Sequence, residues 1–181
     1  MDAIIRFVIA DVPTWAPIAA IVLAIFSAMR LKHKGQKHIL ADRLFAYLLL
    51  FAVGIQGVWA FIMHAYFPDL AANFIGWLQS PFQFEVAAAN LGFGVIGILA
   101  FSSNLSFRAA TVFSFSCFAI GAAAEHIIQL YGHGNHAPDN AGVILYTDVA
   151  IPVVLLILLA IQWKVERKAN RGVEAKSSSD E

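Results

Sequence analysis

Charged residues are scarce in this chain of 181 residues: Asp, Glu, Lys and Arg make up 13% of it, whereas hydrophobic residues make up 60%. An average soluble domain is about a quarter charged. Twelve acidic and twelve basic side chains cannot cover an apolar core of this size, so the composition excludes a water-soluble globular protein. Intrinsic disorder is excluded as well, because disordered chains combine low hydrophobicity with high net charge.

Cysteine is almost absent, and the chain has no net charge. The single cysteine, Cys117, cannot form a disulfide within the chain, and its apolar surroundings favour inert packing over reactivity. One short segment, residues 32–38, is basic. Membrane topology explains this segment more simply than nucleic-acid binding, so we expect no nucleic-acid partner.

Long apolar runs are what the chain does have. A helix of about 20 apolar residues crosses a bilayer. Two shorter apolar segments, residues 1–10 and 70–78, predict short helices lying at the membrane surface. We therefore predict an all-α integral membrane bundle in one domain, residues 1–165, followed by a disordered cytoplasmic tail, residues 166–181. The five predicted transmembrane helices are residues 13–30, 44–63, 82–101, 108–131 and 142–163.

Lysine and arginine predict the orientation of this bundle, because loops on the cytoplasmic side are enriched in both. Eleven of the twelve fall on one side of the predicted membrane, and the exception is Arg6. We therefore expect the N-terminus outside and the C-terminus inside. The eleven are Arg30, Lys32, Lys34, Lys37, Arg43, Arg108, Lys164, Arg167, Lys168, Arg171 and Lys176.

Glycine marks the places where helices can approach closely. The string from Gly92 to Gly97 matches the pattern G-x-G-x-x-G, but no strand precedes it, as a dinucleotide site requires. Small residues in membrane spans instead favour close helix packing, within the chain or against a second copy or another membrane protein. Gly54, Gly57 and Gly121 are interpreted in the same way.

On the third span, Glu85 shares a stripe with Ala88, Ala89 and Gly92, which predicts that its carboxylate enters a helix–helix interface.

Ionisable residues inside membrane spans are costly to bury and are usually functional. The strongest candidates lie near the predicted outer surface: His64, Glu85, His126 and Asp148. Imidazole and carboxylate ligands suit Zn, Mn or Fe. Our hypothesis is an outward-facing site that binds a divalent metal and a small or lipophilic ligand. The expected supporting polar residues are Asn90, Glu125, Gln129, His133, His136 and Asp139.

Three alternatives use the same residues. The first is a proton or ion relay in a coupled transporter, which is disfavoured because the inner halves of the spans carry almost no titratable groups. The second is a b-type haem held by His64 and His126, which is disfavoured because the two histidines have different expected depths. The third is a polar network that joins the helices of a non-catalytic subunit or scaffold. The sequence assigns no catalytic residue and leaves open whether the protein is an enzyme.

Several strings in spans three to five together resemble a known family: residues 80–85, 90–94, 125–129 and 137–142, followed by Asp148 and Pro152. The family comprises small bacterial inner-membrane proteins and is catalogued as a domain of unknown function. The resemblance implies a location in the bacterial plasma membrane. It implies no activity and no residue roles.

Overall fold

Helices account for all the regular secondary structure among the residues that the structure describes. The structure is a computed structural model, and it describes residues 11–31 and 38–177, with side chains as far as residue 172. The helices are α1 Val12–Leu31, α2 Ile39–Leu48, a π-helical segment Leu49–Ile55, α3 Gln56–Tyr66, α4 Pro68–Ile75, α5 Phe82–Ala100, α6 Leu105–His133, α7 Pro138–Ala141 and α8 Val143–Ser177.

Five helical stretches in this part of the chain are long and apolar enough to cross a membrane. α2, the π-helical segment and α3 follow one another without a break and form one stretch, Ile39–Tyr66, while α1, α5 and α6 form one each. The fifth is Pro138–Gly172, which is made of α7 and most of α8. The predicted all-α fold with five candidate membrane-spanning helices is therefore confirmed, and the protein is a multi-pass membrane protein.

The ends of two stretches differ from the prediction. The second stretch begins at Ile39 rather than at residue 44. α8 continues to Ser177, whereas a disordered tail was predicted from residue 166. This last segment is rich in Lys, Glu, Arg and Ala, which are strong helix formers and extend the helix beyond its apolar part.

The surface helix predicted at residues 70–78 is present as α4. It begins at Pro68 and ends before Gly76, whose φ of 74° lies in the left-handed region that favours glycine. The surface helix predicted at residues 1–10, the basic residues Lys32, Lys34 and Lys37, and the last residues of the tail, 178–181, lie outside the described residues.

The bundle has two ends, which we name after a buried side chain at each. The Arg108 end contains the end of α1 at Leu31, the beginning of α2 at Ile39 and the connection from α5 to α6. The His126 end carries the connections from α3 to α5 and from α6 to α8. A tightly packed core, with Phe45, Leu49, Val112 and Leu155 fully buried, joins α2, the π-helical segment, α6 and α8 in the half nearer the Arg108 end.

Glycine brings α5 into backbone contact with the π-helical segment and α3. A Cβ atom built on Gly57 would lie 2.7 Å from the backbone nitrogen of Gly94, and one built on Gly94 would lie 3.2 Å from the carbonyl oxygen of Gly54. Gly97 also packs against Gly54. Close helix packing through these four glycines is therefore confirmed.

The prediction that the Glu85 carboxylate enters a helix–helix interface is wrong. Glu85, Ala88 and Gly92 are exposed, and no atom lies within 4 Å of a Cβ atom built on Gly92. The same is true of a Cβ atom built on Gly121. The face of α5 that packs in the bundle carries Ala87, Gly94 and Gly97 instead, because the partner surface presents its own glycines there.

Candidate functional site

A cavity of about 500 Å³ lies between α1, α3, α5, α6 and α8 in the half nearer the His126 end. We call it the main cavity. Its volume is within the range of roughly 300–1,000 Å³ that is typical of small-molecule sites. The polar residues that line it are Gln56, His64, Asn90, Glu125, His126 and Asp148. The remaining lining is mostly apolar and aromatic, and it includes Trp59, Trp77, Val86, Phe118 and Ile144.

His126 and Asp148 meet on the wall of this cavity. Nε2 of His126 lies 3.9 Å from Oδ2 of Asp148, and the two side chains are only 7% and 16% exposed. This distance is too long for a direct hydrogen bond. It lets one hydrogen-bonding group of a ligand contact both side chains.

Asn140 fixes the orientation of the His126 ring. Asn140 is fully buried, and its Oδ1 atom lies 3.0 Å from Nδ1 of His126. The amide orientation of Asn140 is defined by its neighbours, because Trp77 Nε1 donates to Oδ1 while Nδ2 donates to the carbonyl oxygens of His126 and Asn135. An amide oxygen only accepts, so Nδ1 of His126 carries the proton. In the neutral ring, Nε2 is then a free acceptor beside Asp148.

Above the main cavity, the connection between α3 and α5 contacts the connection between α6 and α8. Nδ2 of Asn135 donates to the carbonyl oxygen of Ile75 at 2.9 Å, and Trp77 packs against the His126 ring with the ring centroids 5.3 Å apart. A Cβ atom on Gly76 would lie 2.7 Å from Oδ1 of Asn135, so the turn after α4 leaves no room for a larger residue. The connection between α3 and α5 thereby holds Trp77 over His126.

Three further predicted site residues line the same cavity. His64 accepts a hydrogen bond at Nδ1 from Gln83 Nε2, at 3.3 Å. Asn90 donates to the carbonyl oxygen of Val86 one turn earlier in α5. Glu125 accepts a hydrogen bond from Gln129, so this pair is linked along α6. These side chains extend the polar part of the cavity wall around His126 and Asp148.

The other predicted residues lie elsewhere. Glu85 is exposed on α5 and does not line the main cavity, while His133 and His136 are exposed near the connection between α6 and α8. Asp139 lines a smaller cavity of about 180 Å³ together with His64 and Asp11. Within residues 11–31 and 38–177, no three His, Cys, Asp or Glu side chains are arranged to hold a metal ion. Of the four predicted ligands, His126 and Asp148 lie within 4 Å of each other.

Sequence analysis missed two residues of the site, Asn140 and Gln56. Asn140 appeared only as part of a loop string, and nothing in the string shows that it is buried. Gln56 had a detectable signal, because it is an isolated amide among the apolar residues of the second span. Cys117 also differs from expectation: it is exposed on α6 and lines the main cavity, although packing was predicted for it.

The Arg108 end contains a second buried polar group with a different arrangement. Arg108 is 8% exposed and donates three hydrogen bonds: Nε to the carbonyl oxygen of Ala100, Nη2 to that of Phe101 and Nη1 to Asp42. The two carbonyl groups belong to the last residue of α5 and to its C-cap residue Phe101, where no partners within the helix are available. Asp42 is further paired with Arg43. This group is saturated with partners, and none of its members lines the main cavity.

Comparison with known proteins gives one match. The model of a family described as a family of unknown function matches residues 10–168, which confirms the resemblance to such a family. No curated protein and no solved structure matches the chain. The match covers the first four candidate spans completely and the fifth as far as residue 168, which includes every residue that lines the main cavity.

Proposed function

The chain belongs to the family of unknown function DUF6790, and we propose that it binds a small lipophilic ligand in the main cavity. The ligand's polar group would lie between His126 Nε2 and the Asp148 carboxylate. The observation that carries the proposal is the convergence of these two buried groups on the wall of a largely apolar cavity of about 500 Å³. Pockets of this size and composition are typical of small-molecule sites.

The surroundings of the cavity support a ligand taken from the bilayer. Cys117 and Gly121 line the cavity on α6 and are both exposed, so the cavity is open on this side of α6. α5 and α6 share few contacts, and ring contacts from Phe93 to Phe115 and to Phe118 hold them together. In a membrane, the exposed side of α6 faces acyl chains, so a molecule dissolved among these chains could reach the cavity between the two helices.

The polar groups indicate which ligand chemistry would bind. Nε2 of neutral His126 accepts a hydrogen bond, and so does an ionised carboxylate at Asp148. A hydroxyl or amine group can donate to either of them. The carboxyl group of Asp148 has two oxygen atoms that can accept, whereas the His126 ring has one free acceptor, so Asp148 would contribute most of the discrimination against ligands without a donor.

We place the protein in a bacterial plasma membrane, with the His126 end facing outwards. The basic residues Arg30, Arg43, Arg108 and Lys164 support this orientation, since they all lie towards the Arg108 end. Reporter proteins fused to the C-terminus test it. A reporter that is active only in the cytoplasm should be active there, and activity of a reporter that needs export would contradict the orientation.

Photolabelling tests the proposed ligand site. The purified protein in lipid nanodiscs is labelled with a diazirine-bearing octanol, and labelled positions are identified by mass spectrometry. We expect adducts on cavity residues such as Phe118 that excess 1-octanol suppresses, and additional adducts on lipid-facing residues that it does not. The variant Asp148→Asn should lose most of the suppressible labelling. The variant Glu85→Gln is the matched control, because it changes an exposed carboxylate outside the cavity.

Two results would overturn the proposal. One is labelling of lipid-facing positions alone, because it would mean that the alcohol does not occupy the cavity. The other is equal suppressible labelling in the wild type and in both Asp148→Asn and His126→Leu, because it would mean that neither polar group contributes to binding.

A divalent metal is a second candidate occupant, and the hydrogen bond between Asn140 and His126 favours it. Histidine ligands of metals usually donate their second ring nitrogen to an oxygen atom, which orients the coordinating nitrogen. His126 has this arrangement, with Asp148 beside its free Nε2 and His64 lining the same cavity. Zn, Mn or Fe would suit these ligands.

Elemental analysis of protein purified without chelator tests this candidate. We expect close to one metal ion per chain in the wild type, much less in His126→Ala, and the wild-type amount in the control His133→Ala. A wild type without stoichiometric metal, or equal metal in His126→Ala, would remove the candidate. The absorption spectrum of the same sample tests the haem alternative through its Soret band.

A further inference from the structure

We infer that the ligand of the main cavity is an organic cation, an alkylammonium ion whose nitrogen lies between His126 and Asp148 and whose hydrocarbon chain fills the apolar part of the cavity. This inference rests on the proposed function of the main cavity and narrows the hydroxyl or amine donor of that proposal to a protonated amine. Two kinds of observation carry it: the unpaired acceptors on the cavity wall and the charges around them.

Two unpaired acceptors are open to the main cavity. Within the described part of the chain, Asp148 forms no hydrogen bond, and Nε2 of His126, which lies 3.9 Å from it, forms none either. The buried side-chain atoms without a partner in this part of the chain are Gln56 Oε1, Ser116 Oγ and Gln162 Nε2. Neither Nε2 of His126 nor a carboxylate oxygen of Asp148 is among them, so these atoms keep accessible surface, and both residues line the cavity.

The number of protons on the ligand's polar group decides whether both acceptors are satisfied. A nitrogen atom at an ordinary hydrogen-bond distance of about 2.9 Å from each acceptor fits between atoms that are 3.9 Å apart. A primary ammonium group has three N–H donors, so it can donate to His126 and to Asp148 at once. A hydroxyl group has one donor and leaves one of the two acceptors unpaired, which weakens binding in a buried site.

The charges around the main cavity also favour a cation. The carboxylates of Glu125 and Asp148 line it, whereas no lysine or arginine within residues 11–31 and 38–172 does. The adjoining smaller cavity adds Asp11 and Asp139 and shares part of its wall with the main one. The lysine and arginine side chains of the same ranges all lie towards the Arg108 end. A cation would therefore be attracted to the main cavity, and a carboxylate or phosphate ligand would be repelled.

Aromatic and aliphatic side chains determine the rest of the ligand. Trp59, Trp77 and Phe118 line the cavity, and a cation within about 6 Å of an aromatic ring centre is attracted to the ring, most strongly to that of tryptophan. Trp77 packs against the His126 ring, so its indole lies close to the proposed ammonium position. Apolar side chains such as Ile144 favour a hydrocarbon chain beyond it. Lipophilic primary amines combine these properties, whereas fatty acids and fatty alcohols do not.

Photolabelling with two matched probes tests the inference. The protein in nanodiscs of phosphatidylcholine, a lipid without net charge, is titrated with diazirine-bearing octanol or with diazirine-bearing octylamine, which is protonated at neutral pH as lysine is. The readout is the concentration of each probe in the membrane that half-saturates labelling of Phe118. In the wild type we expect half-saturation by the amine at an about tenfold lower concentration, which corresponds to one additional hydrogen bond with a charged partner.

Variants assign this preference to the carboxylates. Both probes should bind more weakly to Asp148→Asn, and the ratio between their half-saturating concentrations should fall towards one, because an amide carries no charge. Glu125→Gln should give an intermediate ratio, since it removes the second carboxylate of the cavity wall, and it provides the test if Asp148→Asn does not fold. Glu85→Gln is the matched control, because it changes an exposed carboxylate outside the cavity, and it should keep the tenfold ratio.

The outcomes separate the inference from the proposed function. If neither probe labels Phe118 in a saturable way, the proposed function fails and the inference fails with it. If the two probes half-saturate at the same concentration in the wild type, or if the preference for the amine is unchanged in both Asp148→Asn and Glu125→Gln, the inference alone fails. Diazirine-bearing octanoic acid gives an independent readout. We expect it to bind more weakly than the octanol probe, and equal or tighter binding would overturn the inference.

Discussion

The two ends of the bundle both bury ionisable side chains, but they provide these side chains with partners to very different degrees. At the Arg108 end, one guanidinium donates to two helix-terminal carbonyl groups and to Asp42. At the His126 end, His126 and Asp148 lie 3.9 Å apart beside the main cavity, which is beyond hydrogen-bond distance. Polar groups that are saturated with partners stabilise a fold, whereas incompletely paired ones remain available to a ligand.

The density of side-chain packing also differs between the two ends of the bundle. The buried core is concentrated towards the Arg108 end, and the main cavity lies towards the His126 end. The bundle therefore combines a densely packed half with a half that contains the main cavity. The comparison predicts that substitutions at the two ends differ in kind: those at the Arg108 end reduce stability, and those around the cavity reduce binding.

The largest expected effect is at the Arg108 end. Arg108→Ala removes three hydrogen bonds donated by a charged group, while Asp42 keeps its pairing with Arg43, and the lost hydrogen bonds should lower the free energy of unfolding by about 3–5 kcal/mol. Denaturant titration in detergent micelles measures this change. Arg108→Lys should be intermediate, because an ammonium group can reach Asp42 but cannot form the same fork of hydrogen bonds. A loss below 1 kcal/mol in Arg108→Ala would contradict the structural role.

A smaller loss is expected at Asn140, which is fully buried at the His126 end and whose side-chain amide is fully paired. Asn140→Leu leaves the ring nitrogens of Trp77 and His126 without their acceptor, which should cost about 2 kcal/mol. Hydrogen exchange, read by mass spectrometry, should accelerate in residues 135–142 and remain unchanged in α2. Equal acceleration at both ends would show that the two halves do not behave separately.

Asp148→Asn should separate stability from binding. The Asp148 carboxylate lies beyond hydrogen-bond distance of His126, so replacing a buried ionisable group with a neutral amide should leave stability unchanged or raise it by up to about 1 kcal/mol. The suppressible photolabelling should fall in the same variant. A stability loss comparable to that of Asn140→Leu would instead mean that the His126–Asp148 pair is a structural contact.

The smallest effect is expected for Glu85→Gln. Glu85 is exposed on α5 and lies outside the main cavity, so its stability change should stay within about 0.5 kcal/mol and binding should be unchanged. Thermal unfolding and photolabelling of the same preparation measure both quantities. Loss of binding in this variant would move the site from the cavity to the outer face of α5.

The sequence predicts the spans well because crossing a bilayer requires a length and a composition that are both local properties. It also predicts that His126 and Asp148 lie at a similar depth, since each can be counted from the end of its helix. It fails for Glu85, because two stripes of small residues on the third span compete for the interface. The choice between these stripes depends on Gly54 and Gly57, which belong to another helix.

Asn140 and Gln56 show a different limit. The importance of Asn140 comes from four hydrogen bonds, to or from Trp77, His126 and Asn135, and all four join it to residues of another helix or connection. Gln56 lines the main cavity, and one of its side-chain atoms is buried without a partner. Whether a polar atom is satisfied is a property of the assembled bundle, and a composition or a spacing carries no information about it.

The π-helical segment Leu49–Ile55 has a consequence for how ligand preference can change. The hydrogen bonds of a π-helix span one residue more than those of the α-helices on either side. The segment therefore determines in which direction the cavity-lining face of α3 points relative to the core-facing side of α2. Deleting one residue within it would rotate α3 by about 100° relative to α2. Gln56 and His64 would then both turn away from the cavity, and Gly57 would turn away from its backbone contact with Gly94. A single insertion or deletion in this segment would therefore change the cavity wall of α3 and the packing of α3 against α5 together.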